Sequence, residues 1–276
     1  MKVLAVLALL GAGVLLLGYS NARADPVVRR MTVKMPGWSA GARPVTVALL
    51  ADIHIGSPAT DAERLTRVVA RVNALGPDLV LIAGDFVAGH DPAVGRRYAG
   101  ELTQPLAGLR APLGKVAVLG NHDHWTAPVE IRRALTTAGL IVLANGAVRR
   151  GPLAVIGVDD GFSGHADVSR SLAAARAIGG VSIVLTHTPD TAALLPRGST
   201  ALVMAGHTHC GQAVLPLIGP VVAYSPKLKR TLYDPRYRCG AVRDPGRLVV
   251  VTGGIGASLP LRYGAPPDLW LLTLGP

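Results

Sequence analysis

The sequence has few aromatic residues, few charged residues and almost no cysteine. Phe, Trp and Tyr make up 4% of its 276 residues and Asp, Glu, Lys and Arg 16%, whereas hydrophobic residues reach 50%. A disordered chain needs low hydrophobicity and high charge, so that class is excluded. The only cysteines, Cys210 and Cys239, are too few for a disulfide scaffold, and a bridge between them requires an oxidising compartment.

Negative charge is also scarce, since 28 Lys and Arg residues outnumber 17 Asp and Glu residues and give a net charge of +11. Such an excess favours anionic partners, although a solvated basic surface explains it equally well. The sequence shows no long basic run, no zinc-finger spacing and no RNA-binding signature. We therefore expect phosphate groups or acidic lipids as partners, and no specific nucleic acid.

The amino terminus carries the one long apolar run, Val3 to Gly18, directly after Lys2. At about 1.5 Å per residue it would span roughly 24 Å as a helix, less than the hydrocarbon core of about 30 Å. Ala22-Arg23-Ala24 resembles a signal-peptide cleavage site. Residues 1–25 are therefore expected to be an anchor or a signal segment, and residues 26–276 one folded domain.

The two interpretations place the protein differently. A retained segment anchors the domain in a bacterial inner membrane, whereas a cleaved segment releases an exported protein. Basic residues after the apolar run disfavour export and would place that flank on the cytoplasmic side, namely Arg29, Arg30 and Lys34. We favour the retained anchor.

Strand and helix patterns alternate through the rest of the chain. Short apolar runs predict strands at 45–50, 79–83, 116–119, 141–143, 153–158, 182–185, 201–205 and 248–251. Helices are predicted after the capping-box pattern Thr60-Asp61-Ala62-Glu63, at 128–138 and at 168–177. Asn145-Gly146 is typical of a hairpin turn. The succession predicts an α/β layered domain.

Five of these strands run directly into short polar clusters. The clusters are Asp52-Ile53-His54, Gly84-Asp85, Gly120-Asn121-His122-Asp123, Thr186-His187 and Gly206-His207-Thr208-His209. Ligands bind beyond the carboxyl ends of strands in α/β sheets, so these side chains are expected to share one pocket. Mixed carboxylate, amide and imidazole ligands suit divalent Mn, Fe, Zn or Co. Their number exceeds the needs of one ion and predicts two.

The same series of blocks resembles the calcineurin-like metallophosphoesterases. The resemblance implies a two-layer β-sandwich flanked by helices, with two divalent metal ions. It also implies the ligands: Asp52, His54 and His209 for one ion, Asn121, His187 and His207 for the other, and Asp85 as the bridge. His122 occupies the position of a group that protonates the leaving oxygen or steadies the phosphate, and Asp123 would orient it.

The carboxyl-terminal region is similar to a membrane-anchored subgroup, the YaeI- and YkuE-type phosphodiesterases. The similarity rests on His209-Cys210-Gly211-Gln212 and on Gly254-x-Gly256-x-Ser258-x-x-Pro260-x-Arg262. Some relatives cleave UDP-2,3-diacylglucosamine in lipid A synthesis. Arg262 is a candidate phosphate clamp, because a guanidinium matches phosphate oxygens bidentately, or else a structural arginine.

These observations predict an enzyme that hydrolyses a phosphodiester or pyrophosphate at a membrane surface, on a substrate such as a glycolipid or phospholipid. Attack in line by a metal-bound hydroxide is the expected chemistry, with manganese as a candidate metal. A phosphomonoesterase remains an alternative, as does a non-catalytic metal-binding scaffold.

Four further features have ordinary explanations. His90 and His165 are expected to be loop residues, and His124 could line the pocket. The apolar segment Ala213–Tyr224 is expected to form core and turn, or, if exposed, to contact a membrane.

Overall fold

Two six-stranded β-sheets, packed face to face, form the centre of the protein. The computed structural model describes residues 2–39, 41–225 and 228–276. Its strands are β1 (Val27–Lys34), β2 (Val45–Leu50), β3 (Leu79–Ala83), β4 (Lys115–Val118), β5 (Ile141–Leu143), β6 (Gly146–Arg150), β7 (Leu153–Gly157), β8 (Val181–Leu185), β9 (Leu202–Ala205), β10 (Val214–Leu215), β11 (Gly219–Pro220), β12 (Tyr224–Ser225), β13 (Arg230–Thr231), β14 (Gly240–Asp244), β15 (Arg247–Val251) and β16 (Asp268–Gly275).

Helix α1 precedes the sheets in the chain, and later helices cover their outer faces. They are α1 (Lys2–Arg23), α2 (Ala62–Ala74), α3 (Pro92–Ala99), α4 (Thr103–Ala107), α5 (Asn121–Thr126), α6 (Pro128–Thr137) and α7 (Val168–Ile178). Short 3₁₀ turns lie at Gly100–Leu102, Pro189–Leu194, His209–Gly211 and Pro235–Tyr237.

The first sheet has the order β1-β16-β2-β3-β4-β5 and the second β14-β15-β9-β8-β7-β6. Strands β2 to β5 run parallel, and so do β7, β8, β9 and β15. The inner faces share one apolar core, to which Leu49 and Leu81 contribute from the first sheet and Ile183 and Met204 from the second. This arrangement confirms the two-layer β-sandwich flanked by helices.

Because helices cover the outer faces of the sheets, the central strands are continuous apolar sequences. Leu65, Val68 and Val72 of α2 pack on the outer face of the first sheet, while α7 covers the second. Parallel strands covered on both faces expose no polar side. For that reason β3 is the unbroken sequence Leu-Val-Leu-Ile-Ala.

The predicted strands and helices agree with the structure to within one or two residues, but the structure adds elements that were not predicted, among them β6, β14 and the helices α3 to α5. The N-cap of α2 is Asp61 rather than Thr60, since the Asp61 carboxylate accepts from Arg64 N at 2.7 Å. Asn145 turns the chain from one sheet to the other, because β5 and β6 lie in different sheets, so Asn145-Gly146 is not a hairpin turn. Strands β1 and β16, which complete the first sheet, were not predicted.

Helix α1 is longer than the apolar run alone suggested. Its 22 residues correspond to about 33 Å, and by length and composition it is the one helix among the described residues that could cross a membrane. Of its residues only Gly18 and Ala22 are buried. The carboxyl-terminal part lies on the domain, where Tyr263 donates a hydrogen bond to Val14 O at 2.7 Å and Arg262 N donates to Gly18 O at 3.0 Å.

A buried arginine fastens the end of α1 to the domain. The Arg64 guanidinium, in α2, donates to Arg23 O at 3.2 Å, to Ala24 O at 2.9 Å and to Ile255 O at 3.0 Å. Burial lowers the pKa of Arg64 to about 10, so the group remains charged at neutral pH. The charge is solvated by backbone carbonyls in place of water.

We expect Arg64→Met to lower the free energy of unfolding by on the order of 3 kcal/mol, because buried carbonyls lose their donors. Arg67→Met is the matched control on the same helix. Its ion pair with Glu63 is exposed, so a loss of only about 0.5 kcal/mol is expected. Denaturant unfolding of the full chain in detergent measures both. Equal losses would mean that Arg64 does not fasten this junction.

Candidate metal centre

The predicted site residues converge at one edge of the sandwich. Strands β2, β3 and β4 of the first sheet and β8 and β9 of the second end side by side there, and each continues into one of the five polar clusters. Backbone hydrogen bonds join the clusters, since Asp52 N donates to Gly84 O at 2.9 Å and Gly206 N donates to His187 O at 3.0 Å. The structure therefore brings all seven predicted ligands together.

Asp85 lies in the middle of this group. Its Oδ2 is 3.5 Å from His54 Nε2 on one side and 3.3 Å from His187 Nε2 on the other. Beside His54, the Nε2 of His209 is 3.3 Å away, and Asp52 Oδ1 lies 3.8 Å from that His209 nitrogen. A carboxylate in this position can contact two ions at once.

The second half of the group surrounds His187. Its Nε2 lies 3.1 Å from Asn121 Oδ1 and 3.2 Å from His207 Nδ1. Asp52, Asp85 and His187 place one ligand atom each within 4.8 Å of one another, and so do Asp52, His54 and His209. Either trio could hold a metal ion.

The outer nitrogens of His187 and His207 face acceptors, whereas the outer nitrogen of His209 faces a donor, Arg262 Nη2, at 3.2 Å. His187 Nδ1 lies 2.6 Å from Ala83 O, and His207 Nε2 lies 2.9 Å from Leu232 O. Because a carbonyl can only accept, these outer nitrogens of His187 and His207 carry protons, and in the neutral imidazoles the inner nitrogens present lone pairs. Ser258 Oγ, 3.2 Å from His54 Nδ1, can accept in the same way. Lone pairs and carboxylates thus face one another, which is the donor set of a cation site.

The pKa values reflect the same crowding of acceptors. Burial lowers the pKa of His54 to about 3 and that of His207 to about 4, which keeps both imidazoles neutral, the form that binds metals. Burial also disfavours charge on His187, but the Asp85 carboxylate outweighs it and raises the pKa of His187 well above its usual value. Burial raises the pKa of Asp52 to about 7, helped by the Asp85 carboxylate. The cluster therefore requires positive charge, as a proton or as a cation.

The backbone beneath the ligands is strained. Five of the seven predicted ligands have left-handed backbone conformations with φ between 49° and 70°: Asp52, His54, Asp85, His207 and His209. Such values are uncommon outside glycine and concentrate at functional sites, where the surrounding structure enforces them. Here they turn successive side chains out of the strand ends and into the cluster.

Glycines make room for the carboxylates. A Cβ at Gly254, whose φ is +75°, would lie 2.7 Å from Asp52 Oδ2, and a Cβ at Gly206 would lie equally close to the same oxygen. At Gly120 an added Cβ would overlap the Asp85 carboxylate. These positions admit no side chain while the carboxylates keep their places.

His122 stands at the edge of the cluster, where one of its ring nitrogens lies within 4.8 Å of ligand atoms of His54 and Asp85. Its Nδ1 lies 2.6 Å from Gly89 O, which accepts its proton, and its Nε2 faces Asp85 Oδ2 at 4.0 Å. Asp123 was expected to orient His122, but the carboxylate accepts from Phe86 N at 2.8 Å and from Gly120 N at 2.9 Å instead. The Gly89 carbonyl orients the imidazole, and Asp123 holds two of the strand-end loops together.

Arg262 is buried behind His209. Its guanidinium donates to Gly253 O at 2.7 Å, to Gly256 O at 2.6 Å and to Ala265 O at 3.1 Å, and Nη2 lies 3.2 Å from His209 Nδ1. None of its surface is exposed. The position does not support the predicted phosphate contact. It favours the structural alternative, in which Arg262 supports the glycine-rich loop and the ring of His209.

A cavity of about 360 Å³ opens above the cluster, and its walls contain residues that the sequence did not reveal. His90, Trp125 and Phe162 form an aromatic wall, in which the rings of His90 and Trp125 stack at 5.0 Å and Phe162 lies 4.7 Å from the ring of His207. His90 was expected to be an ordinary loop residue. The position of Trp125, three residues after His122 on α5, was the available signal.

Two other histidines lie outside this cavity. His124 Nε2 contacts Asp159 Oδ1 at 2.8 Å, and its ring stacks on that of His165 at 3.8 Å. Neither residue lines the cavity above the metal ligands. His124 therefore takes part in a neighbouring polar cluster rather than in the predicted pocket.

A disulfide joins Cys210 to Cys239. Cys210 follows the predicted ligand His209 directly, and Cys239 precedes β14. The bond ties the turn that carries His207 and His209 to the second sheet.

Comparison with known proteins agrees with this geometry. The profile of the calcineurin-like phosphoesterases matches residues 45–211, from β2 through the turn that carries His209. The chain belongs to this family. It is accordingly a metallophosphoesterase, a hydrolase of phosphate esters, and its ligand clusters are of the kind that hold the divalent metals typical of the family.

Individual relatives extend the match beyond the conserved blocks. The uncharacterised metallophosphoesterase YkuE of Bacillus subtilis is 29% identical over 83% of this chain and 78% of its own length. A transmembrane protein with metallophosphoesterase domain from Danio rerio is 32% identical over 98% of this chain, which spans 62% of that protein. The crystal structure of the Pseudomonas putida nuclease MPE aligns with 80% of this chain and 78% of its own at 18% identity, with a TM-score of 0.37.

We expect Gly254→Ala to weaken metal binding, because the new Cβ would displace the Asp52 carboxylate. Gly198→Ala is the matched control, since Gly198 has a similar φ of +74° but open space around its Cα. Both variants carry roughly 1–2 kcal/mol of backbone strain. Equilibrium dialysis against Mn²⁺ with elemental analysis should show lower metal content for Gly254→Ala alone. Equal metal content in the two variants would contradict the steric argument.

Proposed function

We propose that this protein hydrolyses a phosphodiester or pyrophosphate bond in a substrate that carries an apolar group, at a membrane surface. The observation that carries the proposal is the cluster of carboxylates and imidazoles at the floor of a cavity with aromatic and aliphatic walls. The cluster suits phosphate chemistry, and the walls suit the groups attached to the phosphate.

Seven residues would hold two divalent ions. Asp52, His54 and His209 would bind one ion and Asn121, His187 and His207 the other, with Asp85 between them. When bound, such ions neutralise phosphate charge and lower the pKa of water. Manganese is our first candidate, and oxygen–nitrogen ligand sets of this kind also accept Fe, Zn or Co.

His122 is proposed to protonate the leaving oxygen. The Gly89 carbonyl holds the Nδ1 proton, so the second proton of the imidazolium sits on Nε2, which points towards the cluster. From there the proton can pass to a departing alkoxide or phosphate above Asp85. General acid catalysis of this kind contributes roughly 10²–10⁴-fold.

The cavity walls suggest an amphiphilic substrate. Opposite the aromatic wall lie the aliphatic side chains of Val222, Leu228, Leu232 and Leu259. At the rim, Arg230 stacks on Phe162 at 3.8 Å and adds positive charge. The cavity admits a phosphate and the groups next to it, as in a glycolipid or phospholipid headgroup. A nucleotide-linked lipid such as UDP-2,3-diacylglucosamine has this combination of a stacking base, phosphates and acyl chains.

Membrane association rests on α1. The helix has the length and hydropathy of a membrane span, and its apolar side chains are exposed from Val3 to Leu17. We propose that it remains as an anchor, in a bacterial inner membrane, instead of being cleaved as a signal. Hydrogen bonds from Arg64 and Tyr263 to α1 and to the residues after it favour retention.

We infer that the domain faces an oxidising compartment, because a disulfide such as Cys210–Cys239 persists there. The basic flank, which favours the cytoplasm, is partly used by the fold, since Arg29 pairs with Asp268.

Hydrolysis of bis(4-nitrophenyl) phosphate and of 4-nitrophenyl phosphate tests the proposed reaction. We expect the full chain, stripped of metal and reloaded with Mn²⁺, to cleave the diester, because the proposed ligands of two ions and the proposed proton donor lie at one cavity. His207→Ala, which removes one ligand, should abolish cleavage. Monoester cleavage alone would favour a phosphomonoesterase. Metal binding without turnover of either ester, or of a nucleotide-linked lipid, would favour the scaffold.

We expect His122→Ala to lower kcat by roughly 10²–10⁴-fold while metal content stays nearly unchanged, since the imidazole donates a proton but belongs to neither metal half. Elemental analysis and steady-state kinetics on the same preparation measure both quantities. Parallel loss of metal and turnover would make His122 a ligand or a structural residue.

A further inference from the structure

The largest group of exposed apolar side chains outside α1 lies next to the cavity above the proposed metal ligands, which we call the metal cavity. Of the exposed large apolar residues in the described part of the chain, Val27, Val129 and Leu194 stand apart from this group. Most of the remaining exposed large apolar residues outside α1 form what we call the apolar lobe: Leu215, Leu217, Ile218, Val221, Tyr224 and Leu228. Of the core and turn expected for Ala213–Tyr224, the structure contains the turn, but Leu215, Leu217 and Ile218 are exposed and do not belong to the core.

The tip of the apolar lobe is an unusual turn for an aqueous surface. β10 and β11 pair over two residues each, and the connecting turn places Leu217 at φ +65°, fully exposed, beside Ile218. Turns with positive φ in water favour Gly, Asn or Asp. A strained turn that presents two large apolar side chains points to a surface that covers them.

The base of the lobe is continuous with the contact between α1 and the domain. Val214 N donates to Tyr263 O at 2.8 Å, and the hydroxyl of Tyr263 donates to Val14 O in α1 at 2.7 Å. Val14 lies nine residues before the end of α1, or about 13 Å along the helix axis. The domain therefore runs alongside an apolar part of α1, and the lobe projects from the residues that touch it.

Positive charge follows the apolar side chains. Lys229 and Arg230 come directly after Leu228 and are both exposed. An apolar tip with basic residues behind it matches the order of acyl chains and anionic headgroups in a bilayer. This charge pattern favours a lipid surface over an apolar protein partner.

We propose that the apolar lobe inserts into the same bilayer leaflet that α1 enters, as a second membrane contact. The inference rests on the membrane association proposed above. Val222, Tyr224 and Leu228 also line the metal cavity, so insertion of the lobe places the cavity mouth at the headgroup level. A lipid-borne phosphate then reaches the cluster without leaving the leaflet.

Fluorescence quenching in nanodiscs tests the insertion. The full chain would carry a polarity-sensitive probe on Ile218→Cys, in discs of phosphatidylcholine and phosphatidylglycerol. Val129→Cys is the matched control, since Val129 is 75% exposed against 73% for Ile218 but lies away from the lobe. The Cys210–Cys239 disulfide leaves the introduced thiol as the labelling site.

We expect the Ile218 probe to show blue-shifted emission, quenching by lipids with a doxyl group near the headgroup, and protection from aqueous iodide. The Val129 probe should show the reverse. Equal iodide access at the two positions would overturn the proposal. So would protection of Ile218 from both quenchers, which would mean that protein covers the lobe.

A third probe, on Leu10→Cys in α1, separates this inference from its premise. Lipid quenching at Leu10 with none at Ile218 would overturn insertion of the lobe alone. No lipid quenching at Leu10 would overturn the anchor and the lobe together. Diester hydrolysis by the same samples reports independently on the proposed reaction.

Discussion

The site depends on electrostatic repulsion between acceptor groups that are buried close together. The carboxylates of Asp52 and Asp85 and the imidazoles of His54, His187 and His207 converge at a largely buried site, where the backbone N–H groups of His207 and His122 donate to the carboxylates. Acceptors so placed repel one another unless positive charge lies between them. The shifted pKa values of His187 and Asp52 express that repulsion, and bound divalent cations would relieve it.

The fold supplies the rigidity to hold these groups together. Each ligand follows a strand end, and five of them have left-handed backbones that a looser structure would relax. Gly120, Gly206 and Gly254 bring backbone against the carboxylates, and Arg262 and Asp123 tie the loops by hydrogen bonds to buried backbone groups. The strained backbone lowers stability locally but holds the ligand side chains in position, as is common at functional sites.

Helix α1, the apolar lobe and the cavity are joined to one another through shared residues. Tyr263 contacts both α1 and the strand that leads into the lobe, while Leu228 belongs to the lobe and to the cavity wall. A single orientation at a bilayer would therefore satisfy the apolar surface of all three. The same orientation presents the proposed phosphate site to lipid headgroups rather than to bulk solvent.

The sequence by itself determined the central strands, the α/β layered class and the set of ligand candidates, because apolar runs and the polar clusters after them are local patterns, whereas the two-layer sandwich was implied by the family resemblance. Only the tertiary structure decided what depends on distant partners. Pairing over more than 200 residues makes β1 and β16 one sheet edge, the Gly89 carbonyl rather than Asp123 orients His122, and Arg262 is buried behind His209. The spacing of residues along a chain indicates the type and order of its helices and strands. Burial and side-chain direction depend instead on packing between segments that are distant in the sequence.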